Sequence, residues 1–133
     1  MSKLIATIKK INSADNLNIV EFDFLGNSLK MMSLGLNSNI QIGIKVQLSV
    51  KPTNISIAKN FTGEISLSNQ LVAIIQNIEN SELLSSISLK TDDFLLESII
   101  TVESSKRMNL QIGDEVIILI KASNLSIEEV LND

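Results

Sequence analysis

The sequence predicts an all-β protein: two small five-stranded β-barrels in tandem, of the oligonucleotide-binding-like type, each with a single short helical turn at most. Three observations predict it. Of the 133 residues 44% are hydrophobic but only 3% aromatic, so the core must be Ile, Leu and Val, and β-branched side chains favour strands. Apolar and polar residues alternate over short runs broken by Gly, Asn, Asp and Ser, with no long helical period. Finally, the chain repeats itself. Gln41, Ile42, Gly43, Val46, Lys51, Asn54, Ser56 and Ile57 return at a constant offset as Gln111, Ile112, Gly113, Val116, Lys121, Asn124, Ser126 and Ile127.

Each element follows from its local pattern. Residues 4–11 alternate loosely as a half-buried strand, and residues 12–16 carry turn chemistry. A second strand spans residues 19–25, with Val20, Phe22 and Phe24 on one face and Ile19, Glu21 and Asp23 on the other. The turn at residues 26–28 returns the chain as a third strand at 29–34. A loop at 37–39 and a turn glycine, Gly43, precede a fourth strand at 45–50 and a short fifth at 55–57. Residues 58–64 read as a linker, which divides the chain into a first unit at 1–62 and a second at 63–133. In the second unit residues 71–78 match 4–11, with Leu, Ala and Ile in register. Strands at 83–89 and 94–102 follow, joined by a solvated turn at Asp92–Asp93. Residues 103–109 make a single helical turn with Ser104 near its start, and Gly113 is again a turn glycine. The tail at 128–133 is polar and expected to fray. Units of this size bury little surface alone, so they are expected to pack together and cover each other's edges.

Composition excludes several functions. The chain has no Cys and no His, which rules out a Cys/His zinc site, a thiol nucleophile, a disulfide and a Ser-His-Asp triad. No nucleophile–base pair stands out, and an enzyme is not expected. The net charge of −4 and four scattered Phe argue against a nucleic-acid surface. No run is long enough to span a membrane, and the first ten residues lack the apolar core of a signal peptide. A cytoplasmic location is the expectation.

The repeated stretch carries the chemistry. In its second copy an apolar strand, residues 116–120, runs into Lys121, followed by Ala122, Ser123 and Asn124. A lysine leaving a buried strand beside backbone N–H groups and a hydroxyl is a place for an oxyanion. A strand-end lysine is ordinarily a solvated terminus, and a Ser at a helix start is ordinarily an N-cap.

The stretch Leu-Gln-Ile-Gly-Asp-Glu-Val-Ile-Ile-Leu-Ile-Lys-Ala-Ser-Asn-Leu-Ser-Ile at 110–127 is similar to the closing signature of the molbindin (Mop) unit, also called the TOBE domain. The opening motif of that family is matched more loosely, by Ser66-Leu67-Ser68-Asn69-Gln70-Leu71. The resemblance covers nearly the whole chain as two units. It implies non-enzymatic binding of molybdate or tungstate, for storage or homeostasis, in a homo-oligomer, with trimers usual for stand-alone two-unit members and oxyanions held between units. It also implies site residues. Lys121 matches the lysine that pairs with the oxyanion, and Ala122 and Ser123 the amides beside it. Thr101 and Ser104 match a hydroxyl pair, Ser66 the opening serine, and Asn69 the asparagine of the opening motif. Ser68 stands where the family has arginine, which removes a bidentate donor. In the first unit Lys51 survives, but Pro52 after it has no N–H. There Met31 and Leu34 are set against Thr101 and Ser104, and Met1 falls at the arginine position. The first unit thus looks chemically thinned. The alternative is a ligand-poor TOBE-type interaction module that partners an oxyanion transporter ATPase.

Overall fold

The computed structural model describes residues 2–131. Its ten strands are β1 (Ser2–Ala14), β2 (Leu17–Phe24), β3 (Asn27–Leu34), β4 (Lys45–Val50), β5 (Ser56–Ala58), β6 (Asn69–Asn80), β7 (Leu84–Thr91), β8 (Phe94–Thr101), β9 (Glu115–Ile120) and β10 (Ser126–Val130). One α-helix, α1 (Val102–Arg107), and two 3-10 turns, Pro52–Asn54 and Ala122–Asn124, complete it. The expected strands are present, with β1 and β6 longer at both ends than the alternation suggested. Met1, proposed for the arginine position, and the last two residues of the tail lie outside the described residues. The rest of that tail is not frayed, because residues 128–130 belong to β10.

Both repeats fold into a five-stranded antiparallel sheet, and each takes its last strand from the other repeat. The first sheet runs β10-β4-β1-β2-β3 and the second β5-β9-β6-β7-β8. Ser126 pairs with Ser49 of β4, and Ser56 pairs with Leu119 of β9. The exchange gives β4 and β9 a partner where an open edge would otherwise expose a row of unpaired backbone groups.

Matched devices shape the two sheets. The register of β1 against β2 slips between Ile8 and Lys10, and that of β6 against β7 between Ile75 and Asn77. At each slip a turn glycine docks: the Gly43 amide donates to the Ile8 carbonyl at 2.7 Å and the Gly113 amide to the Ile75 carbonyl at 2.8 Å. Both glycines sit at φ 93°, where a side chain would be strained. One difference separates the repeats. Leu17 pairs with Leu34 and Leu84 with Thr101, so Leu34 is the counterpart of Thr101. Alignment at the offset of the repeated stretch had set Met31 there instead. The true counterpart of Met31 is Ser98, because the second repeat is longer only after its third strand, where α1 is inserted.

The interior is one continuous apolar cluster drawn from both repeats, with Leu4, Phe22, Phe24, Leu29 and Leu48 of the first beside Leu71, Ile75, Ile87, Leu89 and Ile118 of the second. Alternation explains the selection: β1 and β6 bury every second side chain at their starts and expose the rest. The Phe24 and Phe94 rings meet across the repeats, tilted by 59° with centroids 5.1 Å apart.

Reciprocal polar bonds lock the repeats together. Ser2, at the head of β1, accepts the Glu97 amide of β8 at 2.9 Å on its hydroxyl. Asn69, at the head of β6, accepts the Lys30 amide of β3 at 2.6 Å and donates its own amide to the Lys30 carbonyl at 2.9 Å. The Ser98 hydroxyl donates to the Ile55 carbonyl. All three polar side chains are buried, and each bond satisfies a group that would be costly to leave dry and unpaired.

Candidate functional site

The repeated stretch folds the same way twice. A buried strand, β4 or β9, ends in a lysine in extended conformation: Lys51 has φ −71° and ψ 141°, and Lys121 has φ −71° and ψ 139°. A 3-10 turn follows, closed by a 2.9 Å bond from the Asn54 amide to the Lys51 carbonyl or from the Asn124 amide to the Lys121 carbonyl. The first amides of such a turn have no acceptor within it. In the second repeat these are Ala122 and Ser123. In the first, Pro52 has no N–H to offer.

The strand exchange decides what each turn faces. The turn of the first repeat packs on β8 of the second, and the turn of the second packs on β3 of the first. Lys121 and Ala122 therefore neighbour the strand that ends in Leu34. Thr101 closes the strand on which the Lys51 turn packs, and Ser104 follows it in α1. Neither lysine forms an ion pair among the described residues.

The other candidates are placed as follows. Thr101 is exposed and caps α1, its hydroxyl accepting the Ser104 amide at 3.1 Å and donating to the Ser104 hydroxyl at 2.9 Å. Arg107 donates to the Ser104 hydroxyl at 3.1 Å and pairs with Glu103 at 3.3 Å. Sequence reasoning passed over Arg107, the one arginine of the chain. Its signal was there, four residues after an acid in a short helix. Ser66 and Ser68 are exposed on the segment leading to β6. Asn69 is fully buried, and both ends of its carboxamide are engaged by Lys30. Its position suggested a ligand donor; its surroundings make it a clamp between the repeats.

Two clefts adjoin the lysine turns. One, of about 220 Å3, is lined by Val50, Lys51, Asn54, Ser123, Asn124 and Ser126, and no acidic side chain faces it. The second, of about 350 Å3, lies between β3, the loop after it and β10, and has Met31, Met32 and Ser123 in its wall. Away from both, the linker is tied down at Lys59, which donates to the Asn109 carbonyl at 2.7 Å and pairs with Asp114 at 3.0 Å. The Lys59 ammonium, helped by the Gln111 amide, holds the Asp114 carboxyl below its ordinary value of 3.8.

Comparison with known proteins adds the decisive observation. The TOBE domain family matches residues 65–127, from the approach to β6 through the second lysine turn into β10. The second repeat is a TOBE domain. The match stops at the second repeat, and the first repeat carries the same sheet and lysine turn. Among solved structures, the cytoplasmic molybdate-binding protein ModG, in a crystal form with molybdate bound, is similar at 21% identity and a TM-score of 0.86. The likeness covers 93% of this chain and 92% of that one, and it establishes the two-unit fold. A molybdate-binding protein from Sporomusa ovata is 30% identical over 45% of this chain and 90% of its own, with a TM-score of 0.44. No curated protein matches the sequence at a significant level.

Proposed function

We propose that this TOBE protein binds molybdate or tungstate as a non-catalytic cytoplasmic store or buffer, at sites between TOBE units in a trimeric assembly. The observation that carries the reading is the lysine turn of the second repeat. Lys121 has no carboxylate partner among the described residues, the amides of Ala122 and Ser123 follow it, and the turn lies inside the region matched to the TOBE family. Molybdate is a tetrahedral dianion that only accepts hydrogen bonds, so a free ammonium beside free amides suits it. The whole-chain likeness to a molybdate-bound protein supports the same ligand. Ser66 and Ser68, exposed on the approach to β6, are the hydroxyls that a neighbouring unit would bring to such a site.

Calorimetric titration with molybdate, against sulfate and phosphate, tests the reading. Micromolar or tighter molybdate binding that Lys121→Ala weakens about tenfold or more supports it. Three observations favour a second reading, a ligand-poor module that docks on an oxyanion transporter ATPase: an uncharged Ser68, a Pro52 without an amide, and Thr101 and Ser104 bonded to each other. Under that reading no oxyanion binds and Lys121→Ala leaves partner binding intact.

A further inference from the structure

The first repeat looks thinned when its lysine turn is considered alone. Within the fold that turn is not alone. The strand exchange brings it to the turn of the second repeat, and the two enclose the cleft of about 220 Å3. One wall supplies Lys51 and Asn54, the other Ser123, Asn124 and Ser126. Among the described residues none of these five side chains makes a hydrogen bond or ion pair within the chain. Elsewhere polar side chains that meet across the repeats are paired, as at Asn69, Ser2 and Ser98. Here five converge unpaired, four neutral polar groups around the one positive charge of Lys51.

We propose that this cleft is a small-oxyanion site contained within one chain, with Lys51 supplying the charge and Asn54, Ser123, Asn124 and Ser126 the hydrogen bonds. The proposal rests on the oxyanion reading above and adds a second site to it, built from side chains of both repeats. Pro52 does not weaken this site. It removes an amide but fixes the backbone of the turn, while the donors opposite come from the other repeat. Two carboxamides and two hydroxyls around one ammonium match the several acceptor oxygens of a tetrahedral anion. No carboxylate on the cleft wall opposes its charge. Molybdate, sulfate and phosphate share that chemistry, and the test separates them.

The protein is titrated with sodium molybdate, sodium sulfate and sodium phosphate in turn, alongside Lys51→Met and Ser126→Ala. Lys51 and Ser126 are exposed, so both variants are expected to fold, and circular dichroism checks this. The expected result is that each variant weakens one class of sites by roughly tenfold or more and leaves the Lys121-dependent class in place. Sulfate or phosphate binding lost in the same variants supports the same cleft with a different anion. If the wild type binds molybdate and both variants retain every site at unchanged affinity, the cleft is overturned and the oxyanion reading stands. If the wild type binds none of the three anions, the oxyanion reading fails and the cleft falls with it.

Discussion

Asn69 shows how much a single side chain does here. Its carboxamide satisfies both the amide and the carbonyl of Lys30, which sits on the other repeat and has no strand partner on that side. Replacing Asn69 with Leu leaves two backbone groups unpaired at a buried junction, and the expected cost is about 1–3 kcal/mol, read from urea denaturation. Asp114 gives a prediction in pH. Its folded carboxyl titrates below the ordinary value of 3.8 because Lys59 and the Gln111 amide favour the charged form. The stability it contributes is therefore present above that value and is lost as the pH falls through the lower folded value. Asp114→Asn should lower the melting temperature at pH 7 and leave it nearly unchanged at the acid end, below both values.

At the scale of elements, β2 and β8 carry the aromatic contact between repeats. Phe24 and Phe94 meet with centroids 5.1 Å apart, and a double-mutant cycle through Phe24→Leu and Phe94→Leu should return a coupling of about 0.5–1.5 kcal/mol. Most elements were legible in the sequence. Phe22 and Phe24 alternate with Glu21 and Asp23, so β2 announces both its length and its buried face. The lysine turns were legible as a repeat. What the elements join was not legible, for a physical reason. The segments Asn54-Ile55-Ser56-Ile57 and Asn124-Leu125-Ser126-Ile127 are nearly the same, so pairing within a repeat and pairing across repeats satisfy the same alternation. Sequence therefore grouped Lys121 with Thr101 and Ser104, which share its repeat. In the fold the turn bearing Lys121 packs on β3, and it is the turn bearing Lys51 that packs on β8, which ends at Thr101. Register in the third strand escaped for a similar reason, since a single offset cannot serve both sides of the α1 insertion.

For the whole molecule, exchange and a shared core predict one cooperative unit. Buried side chains of both repeats form a single cluster, so urea should unfold the chain in one transition seen alike by every probe. Ile127→Pro should interrupt the ladder between β10 and β4, where Ile127 pairs with Leu48. Although Ile127 lies in the second repeat by sequence, hydrogen exchange should rise first in residues 45–50 of the first sheet. Equal loss of protection in β9 would contradict the pairing.

The exchanged strand also sets an order on synthesis. A ribosome delivers β1 to β4 early, but the strand that closes their sheet, β10, emerges only after the whole second repeat has been made. Until then β4 offers its open edge to whatever strand is near, including β4 of a neighbouring nascent chain on the same message. The first sheet is finished by a strand translated after the rest of the second repeat, and a slow codon anywhere in that repeat prolongs the exposure of the first.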